Sequence, residues 1–443
     1  MNKTILLLLV SFLNFLIVIF AEIKSNKRHL DLFAPPIVFS VIFLLQYIIP
    51  IFLIMFKKNY INHYYAEFFI YYPISSNSLN EAIVFSSIGF ISFFLGYLFP
   101  SLPKTNNHNQ YKKVNLSYIS DSYKVKIIIT AYSLMSMLLL FFMFKRMGFK
   151  NIIMNLSNRL FLLEGSYYFE FSYILLSVNS YLILLIKKRN TFLSIFFILL
   201  SILVAGLFGS RQAIIAPLMI YMFLYNYWVR ELHKKEIFIL LLIVSTLYIS
   251  LHMLEELIVL GKILSNPYGS SNLIDSVLNR ITAGNLIGIQ QLSLIIEGVK
   301  HTHQLFLGKT FSELFVFFIP RRLFPFKPTS PAGMLTKTFL PDLYRAGTTL
   351  PPTLIGEFYM NFSLFGIVFG MFVFGLLYRI FYRAVIAVGD FKHIFVYSIL
   401  ITFMYAWIRG ETFSPTVLAL IFYFTGIFPL RFVLRGHNRQ NYW

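Results

Sequence analysis

The sequence predicts an all-α protein that crosses a membrane about eleven times and carries one large loop on the outer side. Of its 443 residues, 58% are hydrophobic and 13% are charged, whereas a soluble domain is about 45–50% apolar and about 25% charged. The apolar residues fall in runs of about 17–25, the length that a spanning helix needs. These observations exclude a soluble enzyme. Because no linker or internal repeat divides the chain, we expect one membrane domain over residues 1–443.

Eleven apolar runs define the predicted spans. The first could be mistaken for a signal peptide, but Ile19 stands where a small residue would precede a cleavage after Ala21. We therefore interpret this run as an uncleaved helix. The runs lie at 4–20, 33–56, 81–99, 127–144, 169–186, 191–208, 213–229, 237–254, 358–381, 394–407 and 415–434.

The distribution of Lys and Arg predicts the orientation of the spans, because cytoplasmic loops are enriched in these residues. One set of alternating loops carries 20 of them, and the complementary short segments carry 9. The richer set is then inside. This orientation puts the N-terminus outside, the C-terminus inside and the long connection at 255–352 outside.

The long connection is too apolar for a disordered segment. Apolar residues repeat at helical spacing in 273–281 and again in 311–318, which predicts two amphipathic helices on the membrane surface or over a cavity. Lys309 and Glu313, four residues apart, are expected to pair on another face of the second helix. Repeated prolines between 320 and 352 then predict an extended stretch without a spanning helix. Loops of this length are usually functional.

The residues present argue against cofactor chemistry. The chain has no cysteine, which excludes disulfides, thiol nucleophiles and zinc–thiolate sites. It contains no Walker loop or dinucleotide fingerprint. His301 and His303 lie two apart without further ligands at suitable spacing, so we expect no metal. The formal net charge of +20 is spread between apolar runs, which argues against a nucleic-acid partner.

An unusual set of arginines lies on the predicted outer side. Arg211 and Arg409 stand in very short turns between helices, which would fix both at the outer membrane face. The planar guanidinium fork matches phosphate and carboxylate oxygens, so the set predicts a pocket for an anionic headgroup or diphosphate. The alternative is that each arginine reaches phospholipid phosphates or pairs with a nearby carboxylate. The full set is Arg159, Arg211, Arg280, Arg321, Arg322, Arg345 and Arg409.

Two outer carboxylates are candidate catalytic groups. Glu357 follows Gly356 at the start of an apolar helix, where an acid is costly unless it is paired or useful. It could instead be a helix N-terminal acid that the dipole favours. Glu411 lies two residues from Arg409, with which it could form a simple ion pair. His303 is a third candidate.

Four short motifs follow one another along the chain: Gly209-Ser210-Arg211, the stretch from Ile319 to Pro328 around Arg321 and Arg322, the stretch from Gly356 to Phe362 with Gly366, and Arg409-Gly410-Glu411. In this order they resemble the Wzy-type O-antigen polymerases, which join oligosaccharide repeat units in the bacterial envelope. Two arginines in the loop also match a spacing described in some members, an arginine followed by ten residues and a glycine: Arg322 with Gly333, and Arg345 with Gly356.

The resemblance implies a membrane glycosyltransferase of GT-C-like architecture in the bacterial inner membrane. Its substrates would be undecaprenyl-diphosphate-linked oligosaccharides, and its site would face the periplasm. Arginines would stabilise the departing diphosphate, which suits Arg211, Arg321, Arg322, Arg345 and Arg409. Glu357, then Glu411, then His303 would accept the proton of the acceptor hydroxyl. Membrane lipids and a chain-length regulator protein are the further partners that the resemblance suggests.

Three other functions compete with polymerisation. A lipid-linked oligosaccharide flippase should carry charged residues deep within its helices and two similar halves, and the sequence has neither. An O-antigen ligase, which would use lipid A core as acceptor, is a closer alternative because sequence separates it poorly from a polymerase. A structural scaffold would not need the arginines.

Overall fold

Every regular element that the structure describes is helical. In this computed structural model the described residues are 31–51, 75–99, 123–148, 151, 166–186, 191–207, 211–233, 235–240, 242, 246, 288–319, 322–345, 347 and 349–434. The predicted spans at 4–20 and, for the most part, 237–254 lie outside these ranges, as does the amphipathic stretch at 273–281.

Thirteen helices are named below in chain order. A π-helical turn extends the first of them over Leu44–Ile48, and another extends the sixth over Tyr225–Val229. They are α1 (Pro35–Phe43), α2 (Ser76–Leu98), α3 (Tyr123–Met147), α4 (Ser166–Ile186), α5 (Thr191–Leu207), α6 (Arg211–Leu224), α7 (Gly288–Thr302), α8 (Lys309–Val316), α9 (Pro331–Phe339), α10 (Pro341–Arg345), α11 (Leu354–Val388), α12 (Phe391–Arg409) and α13 (Phe413–Leu434).

Five described helices are long and apolar enough to cross a membrane: α2, α3, α4, α11 and α12. Four shorter apolar helical segments, at Pro35–Ile51, Phe192–Gly206, Ala213–Val229 and Phe413–Phe428, coincide with further predicted spans. The helical fold class is therefore confirmed for the part of the chain that the structure describes.

The chain divides into two compact units, and each is described by itself. The first comprises residues within 1–106, 278–383 and 403–418. Its core is aromatic where α1 meets α2: the rings of Phe39 and Phe93 stack with centroids 3.7 Å apart, and those of Phe43 and Phe90 lie 4.6 Å apart. All four side chains are buried, so the crossing contributes the apolar contacts that hold this unit together.

Glycines bring α2 and α11 into backbone contact in the first unit. A Cβ added to Gly96 would lie 1.9 Å from the backbone oxygen of Phe372, and one added to Gly375 would lie 2.0 Å from that of Phe93. Small residues at crossings let helices approach closely within a membrane, where van der Waals packing drives helix association. The two glycines therefore fix the position of α11 against α2.

The second unit comprises residues within 107–277, 384–402 and 419–443. Here pairs of serine hydroxyls join neighbouring helices: Ser136 and Ser172 Oγ atoms lie 2.6 Å apart between α3 and α4. The α4–α5 contact has two such pairs, Ser177 with Ser201 at 2.6 Å and Ser180 with Ser194 at 2.9 Å. These small polar residues allow close approach and satisfy each other's hydrogen bonds away from water.

Helix α11 is kinked near its start. Phe362 and Ser363 leave helical geometry, with Ser363 at φ 55° and ψ −146°. The kink separates a short segment that carries Glu357 from a longer apolar one. Gly366 is required just after it, because a Cβ there would lie 2.2 Å from the backbone oxygen of Phe358.

One expectation about the long connection was wrong. The proline-rich stretch is not extended throughout, since α9 and α10 begin at Pro331 and Pro341. Proline suits the first helical position because the N–H it lacks would have no intrahelical partner. Helix α8 forms as predicted; within it Lys309 is exposed and Glu313 is buried, and their pairing stays a prediction.

Candidate functional site

Glu357 is fully buried and accepts three hydrogen bonds. Its Oε1 accepts from the hydroxyls of Thr310, at 2.9 Å, and Thr412, at 2.7 Å. Its Oε2 accepts from the backbone N–H of Thr412 at 2.8 Å. The carboxylate thus joins three elements of the first unit: the start of α11, the start of α8 and the turn before α13.

Asn361, one turn after Glu357 on α11, extends this network. Its amide nitrogen donates to the Thr310 hydroxyl at 2.7 Å and to the backbone oxygen of Glu357 at 2.8 Å. Its Oδ1 accepts from the N–H of Gly308 at 2.8 Å. Because Asn361 and Thr310 are themselves buried, these bonds fix the direction of the Thr310 hydroxyl toward Glu357.

Glu411 is also a buried carboxylate, 7% exposed, and it caps α9. Its Oε2 accepts from the backbone N–H of Ala332 at 2.8 Å, and its Oε1 accepts from the Ser414 hydroxyl at 2.5 Å. The hydroxyl of Ser330, the N-cap residue, accepts from the N–H of Gly333. Burial raises the pKa of Glu411, and its hydrogen bonds with Ser414 and Ala332 oppose that rise.

Helices α8 and α9 are therefore held by two adjacent residues. Glu411 fixes the start of α9, and Thr412 donates to the carboxylate that fixes α8. In the described geometry both acids have a positioning role. Their predicted role as proton acceptors stays a prediction.

A cavity of about 580 Å³ lies beside these two helices in the first unit. Three lysines line it: Lys309 at the start of α8, Lys327 in the segment before α9, and Lys337 on α9. Among the residues that the structure describes, its lining also contains Gln304, Phe306, Thr329 and Thr338, and no acidic residue. Pockets of 300–1,000 Å³ typically bind small ligands, and this one carries three cationic side chains.

Lys327 also holds the polypeptide that follows α8. Its Nζ donates to the backbone oxygen of Phe317 at 2.7 Å and lies 3.4 Å from that of Ile319. A cation at these carbonyls suits the negative end of α8. Lys309 and Lys337 are exposed, in contrast to the half-buried Lys327.

The predicted arginines are placed differently from these lysines. Arg322 and Arg345 are exposed, and Arg345 pairs with Asp342 at 3.2 Å. Arg409 is half-buried at the end of α12. None of these three lines the lysine cavity. Arg211 begins α6 in the second unit, where its side chain is outside the description, and Arg321 lies outside the described residues.

The histidines take up two surface positions. His303 is exposed and has a positive φ of 52°, just after α7 ends. His301 lies 3.0 Å from the Oε1 of Glu297. In the described ranges, no group of three or more His, Asp or Glu side chains is arranged to hold a metal ion.

Comparison with known proteins decides between the functions that the sequence left open. The sequence model of the family described as "Putative O-antigen polymerase" matches residues 31–424, nearly the whole chain. The chain belongs to the O-antigen polymerase family. No curated protein and no solved structure matches it.

Membership of the O-antigen polymerase family assigns the activity: the polymerisation of oligosaccharide repeat units into O-antigen. The flippase and ligase alternatives are not favoured. The suspected resemblance to this family is therefore confirmed, as are a role in polysaccharide biosynthesis and glycosyl transfer as the reaction class.

Sequence reasoning missed the lysine cavity in this O-antigen polymerase. Its three lysines stand 18 and 10 residues apart, which matches neither helical nor strand periodicity. They meet only because α8, α9 and the segment between them fold together. The one available signal was the absence of acidic residues between Glu313 and Asp342, a stretch with several basic residues.

Proposed function

We propose that this O-antigen polymerase uses undecaprenyl-diphosphate-linked repeat units and acts at the periplasmic face of the bacterial inner membrane. The proposal includes about eleven spans, a GT-C-like architecture and one membrane domain over 1–443, with the outer loop at 255–352. The family match over residues 31–424 is the observation that carries it. The excess of Lys and Arg in alternate loops, 20 against 9, supports the sidedness.

The proposed reaction transfers a glycan between two lipid-linked molecules. The acceptor hydroxyl oxygen forms the new glycosidic bond with the anomeric carbon of the donor glycan. The bond from that carbon to the diphosphate oxygen breaks, and lipid diphosphate leaves with the electron pair. The hydroxyl proton passes to a base. Because the energy lies in the glycosyl–diphosphate bond, the reaction needs no nucleotide.

In this proposal the outer arginines stabilise the charge on the departing diphosphate. They are Arg211, Arg321, Arg322, Arg345 and Arg409, and we propose that Arg322, Arg345 and Arg409, which are described in the first unit, act in one pocket. Arg345 is exposed beside Asp342, so its guanidinium can reach a ligand at modest cost. A chain-length regulator protein is a further proposed partner.

Glu357 is the proposed base, followed by Glu411 and His303. Thr412 donates to Glu357 and adjoins Glu411, so both carboxylates lie in one part of the first unit. Since Glu357 is fully buried, it can accept a proton only if substrate binding opens the contact between Thr412 and its carboxylate. His303 is accessible without such a change.

Deleting the gene and analysing surface lipopolysaccharide on a gel tests this function. Loss of a polymerase should leave one repeat unit attached, because transport and ligation still operate. Loss of a flippase or a ligase would leave none, and that result would overturn the proposal. Reporter fusions within 265–310 test the orientation, where a cytoplasmic signal would contradict an outer site.

Conservative arginine variants test the diphosphate pocket. Arg322→Lys and Arg409→Lys keep the charge but lose the bidentate fork, so both should shorten the polymer. Arg230→Lys is the matched control, because Arg230 makes a similar bidentate contact, with Glu236 at 2.9 and 2.6 Å, in a predicted cytoplasmic loop. Normal polymer from both outer variants would argue against the pocket.

A further inference from the structure

Strained backbone is concentrated where the α7–α8 linker, residues 303–308, meets the kink of α11. Two of the strained residues belong to the linker, and the other two flank the short first segment of α11, residues 354–361. Such conformations cost free energy and persist only where the surrounding contacts enforce them. The non-glycine residues with a positive φ in the part of the chain that the structure describes are His303 (52°), Leu307 (48°), Thr353 (63°) and Ser363 (55°).

Three consecutive N–H groups of the linker hold the short segment in place. The N–H of Phe306 donates to the backbone oxygen of Met360 at 2.9 Å. The next two, of Leu307 and Gly308, donate to Asn361, to its backbone oxygen at 3.2 Å and to its Oδ1 at 2.8 Å. In a regular helix these backbone oxygens would accept from N–H groups four residues further along. The linker thus supplies hydrogen bonds to the backbone beside the kink.

The same contacts hold the Glu357 carboxylate in its buried position. Gly308 directly precedes α8, whose Thr310 hydroxyl donates to Glu357 at 2.9 Å. Asn361 in turn donates to that hydroxyl at 2.7 Å. If the linker leaves the kink, the short segment loses these restraints and can turn about Ser363. Glu357, which lies on that segment, then moves away from its partners.

The surroundings leave room for this movement. Phe358 of the short segment lies over two glycines of the longer one: a Cβ added to Gly366 would lie 2.2 Å from its backbone oxygen, and one added to Gly370 would lie 2.6 Å from its ring. Because glycine has no side chain to interlock with Phe358, the short segment can rotate there without losing the contact. The cavity of about 580 Å³ gives the linker space, since its lining includes Gln304, Leu305 and Phe306.

We propose that the α7–α8 linker and Ser363 are positioning residues that control access to Glu357. The closed arrangement buries the carboxylate and strains Leu307 and Ser363. Release of the linker opens it and relieves that strain, and the substrate selects this less populated open state. The inference rests on the proposed function, in which Glu357 accepts the proton of the acceptor hydroxyl, because a fully buried carboxylate can do so only after opening.

Amide hydrogen–deuterium exchange of the full-length protein in phosphatidylcholine nanodiscs tests the proposal. Opening exposes the N–H groups of the linker to water, so their exchange rate measures it. Ser363→Gly stabilises the closed arrangement, because glycine adopts a positive φ without steric cost. Exchange across the linker should slow by about tenfold, the factor that follows from the typical cost of one strained residue. Polymer from a complemented deletion strain should be shorter, although the variant unfolds at no lower temperature. Leu307→Gly should act in the same direction.

Two further variants separate strain from other effects. Ser363→Ala removes the same hydroxyl but keeps a Cβ at positive φ, so exchange across the linker should match that of the unchanged protein. Ser76→Gly makes the same substitution as Ser363→Gly at an exposed helical position of α2 and should leave the polymer at full length.

Three results would overturn the proposal: unaltered exchange in Ser363→Gly, equal slowing in Ser363→Ala, or full-length polymer at the normal rate despite slower exchange. The exchange is measured without substrate. It can therefore fail to change while deletion of the gene still leaves one repeat unit, so this proposal and the proposed function fail separately.

Discussion

Replacing Glu357 by glutamine keeps the size of the side chain but turns one of its oxygens into a hydrogen-bond donor. The carboxylate accepts from two hydroxyls, of Thr310 and Thr412, and from the N–H of Thr412. With the amide oxygen toward the hydroxyls, the new NH₂ group faces the Thr412 N–H. The turn before α13 then loses one of its two hydrogen bonds to α11 and keeps the one from the Thr412 hydroxyl.

The magnitude follows from these three bonds. A buried N–H left without a partner costs about 1–3 kcal/mol, and each remaining bond weakens by about 1 kcal/mol when its acceptor is no longer charged. Because glutamine is neutral, the variant avoids the desolvation cost of a buried charge, which offsets part of this loss. We expect Glu357→Gln to destabilise the protein by about 2 kcal/mol, which lowers the apparent Tm by several degrees.

The assay pairs thermal unfolding of purified protein in detergent with polymer length in a complemented deletion strain. Thr412→Val and Thr310→Val are the matched variants, because each removes a hydroxyl that donates to Glu357 and keeps the carboxylate. If Glu357 is the base, Glu357→Gln shortens the polymer far more than either variant does at similar stability.

Two results would refute the reasoning. Unchanged thermal stability of Glu357→Gln would mean that the three hydrogen bonds do not hold the elements together. Full-length polymer at the normal rate from the same variant would remove Glu357 as the base. Equal polymer loss in all three variants, in proportion to lost stability, would assign Glu357 a positioning role alone.

Three further predictions concern packing and pH. Gly96→Ala and Gly375→Ala should each lower the free energy of unfolding by about 3 kcal/mol or more, because the added Cβ meets a backbone oxygen. Gly206→Ala is the control: the space around Gly206 is open, so this change should leave the free energy of unfolding unaltered. Hydroxyls of Ser78 and Ser75 lower the pKa of Glu297 from 4.5, so its ionised form stabilises the fold above pH 4.5. The stability gap between the unchanged protein and Glu297→Gln should close as the pH falls below 4.5, and a gap independent of pH would contradict the contact. The pH dependence of Glu411 is opposite, because burial raises its pKa. Its contribution to the free energy of unfolding is complete below pH 4.5 and is lost as the pH rises through the folded pKa. The stability of Glu411→Gln relative to the unchanged protein should therefore increase with rising pH.

The structure places two acids of the sequence motifs in one region of the first unit. Glu357, selected from sequence as a costly outer acid, accepts hydrogen bonds from Thr412, and Glu411, which directly precedes Thr412, accepts one from Ser414. Gly356 also has a packing reason, since a Cβ there would lie 2.5 Å from the side chain of Ile295. Sequence alone could not show these contacts, because the bonded partners lie up to 79 residues apart.

The sequence by itself determined the membrane class, the helical fold of the described residues and the polymerase family, because apolar runs and short motifs are local features. It could not reveal that Lys309, Lys327 and Lys337 line one cavity, or that Glu411 caps α9. Hydrogen bonding and burial depend on which segments meet in space. Only the tertiary structure decides which segments come into contact. The sequences of α8, α9 and the turn before α13 contain no periodic pattern that predicts their contacts with one another.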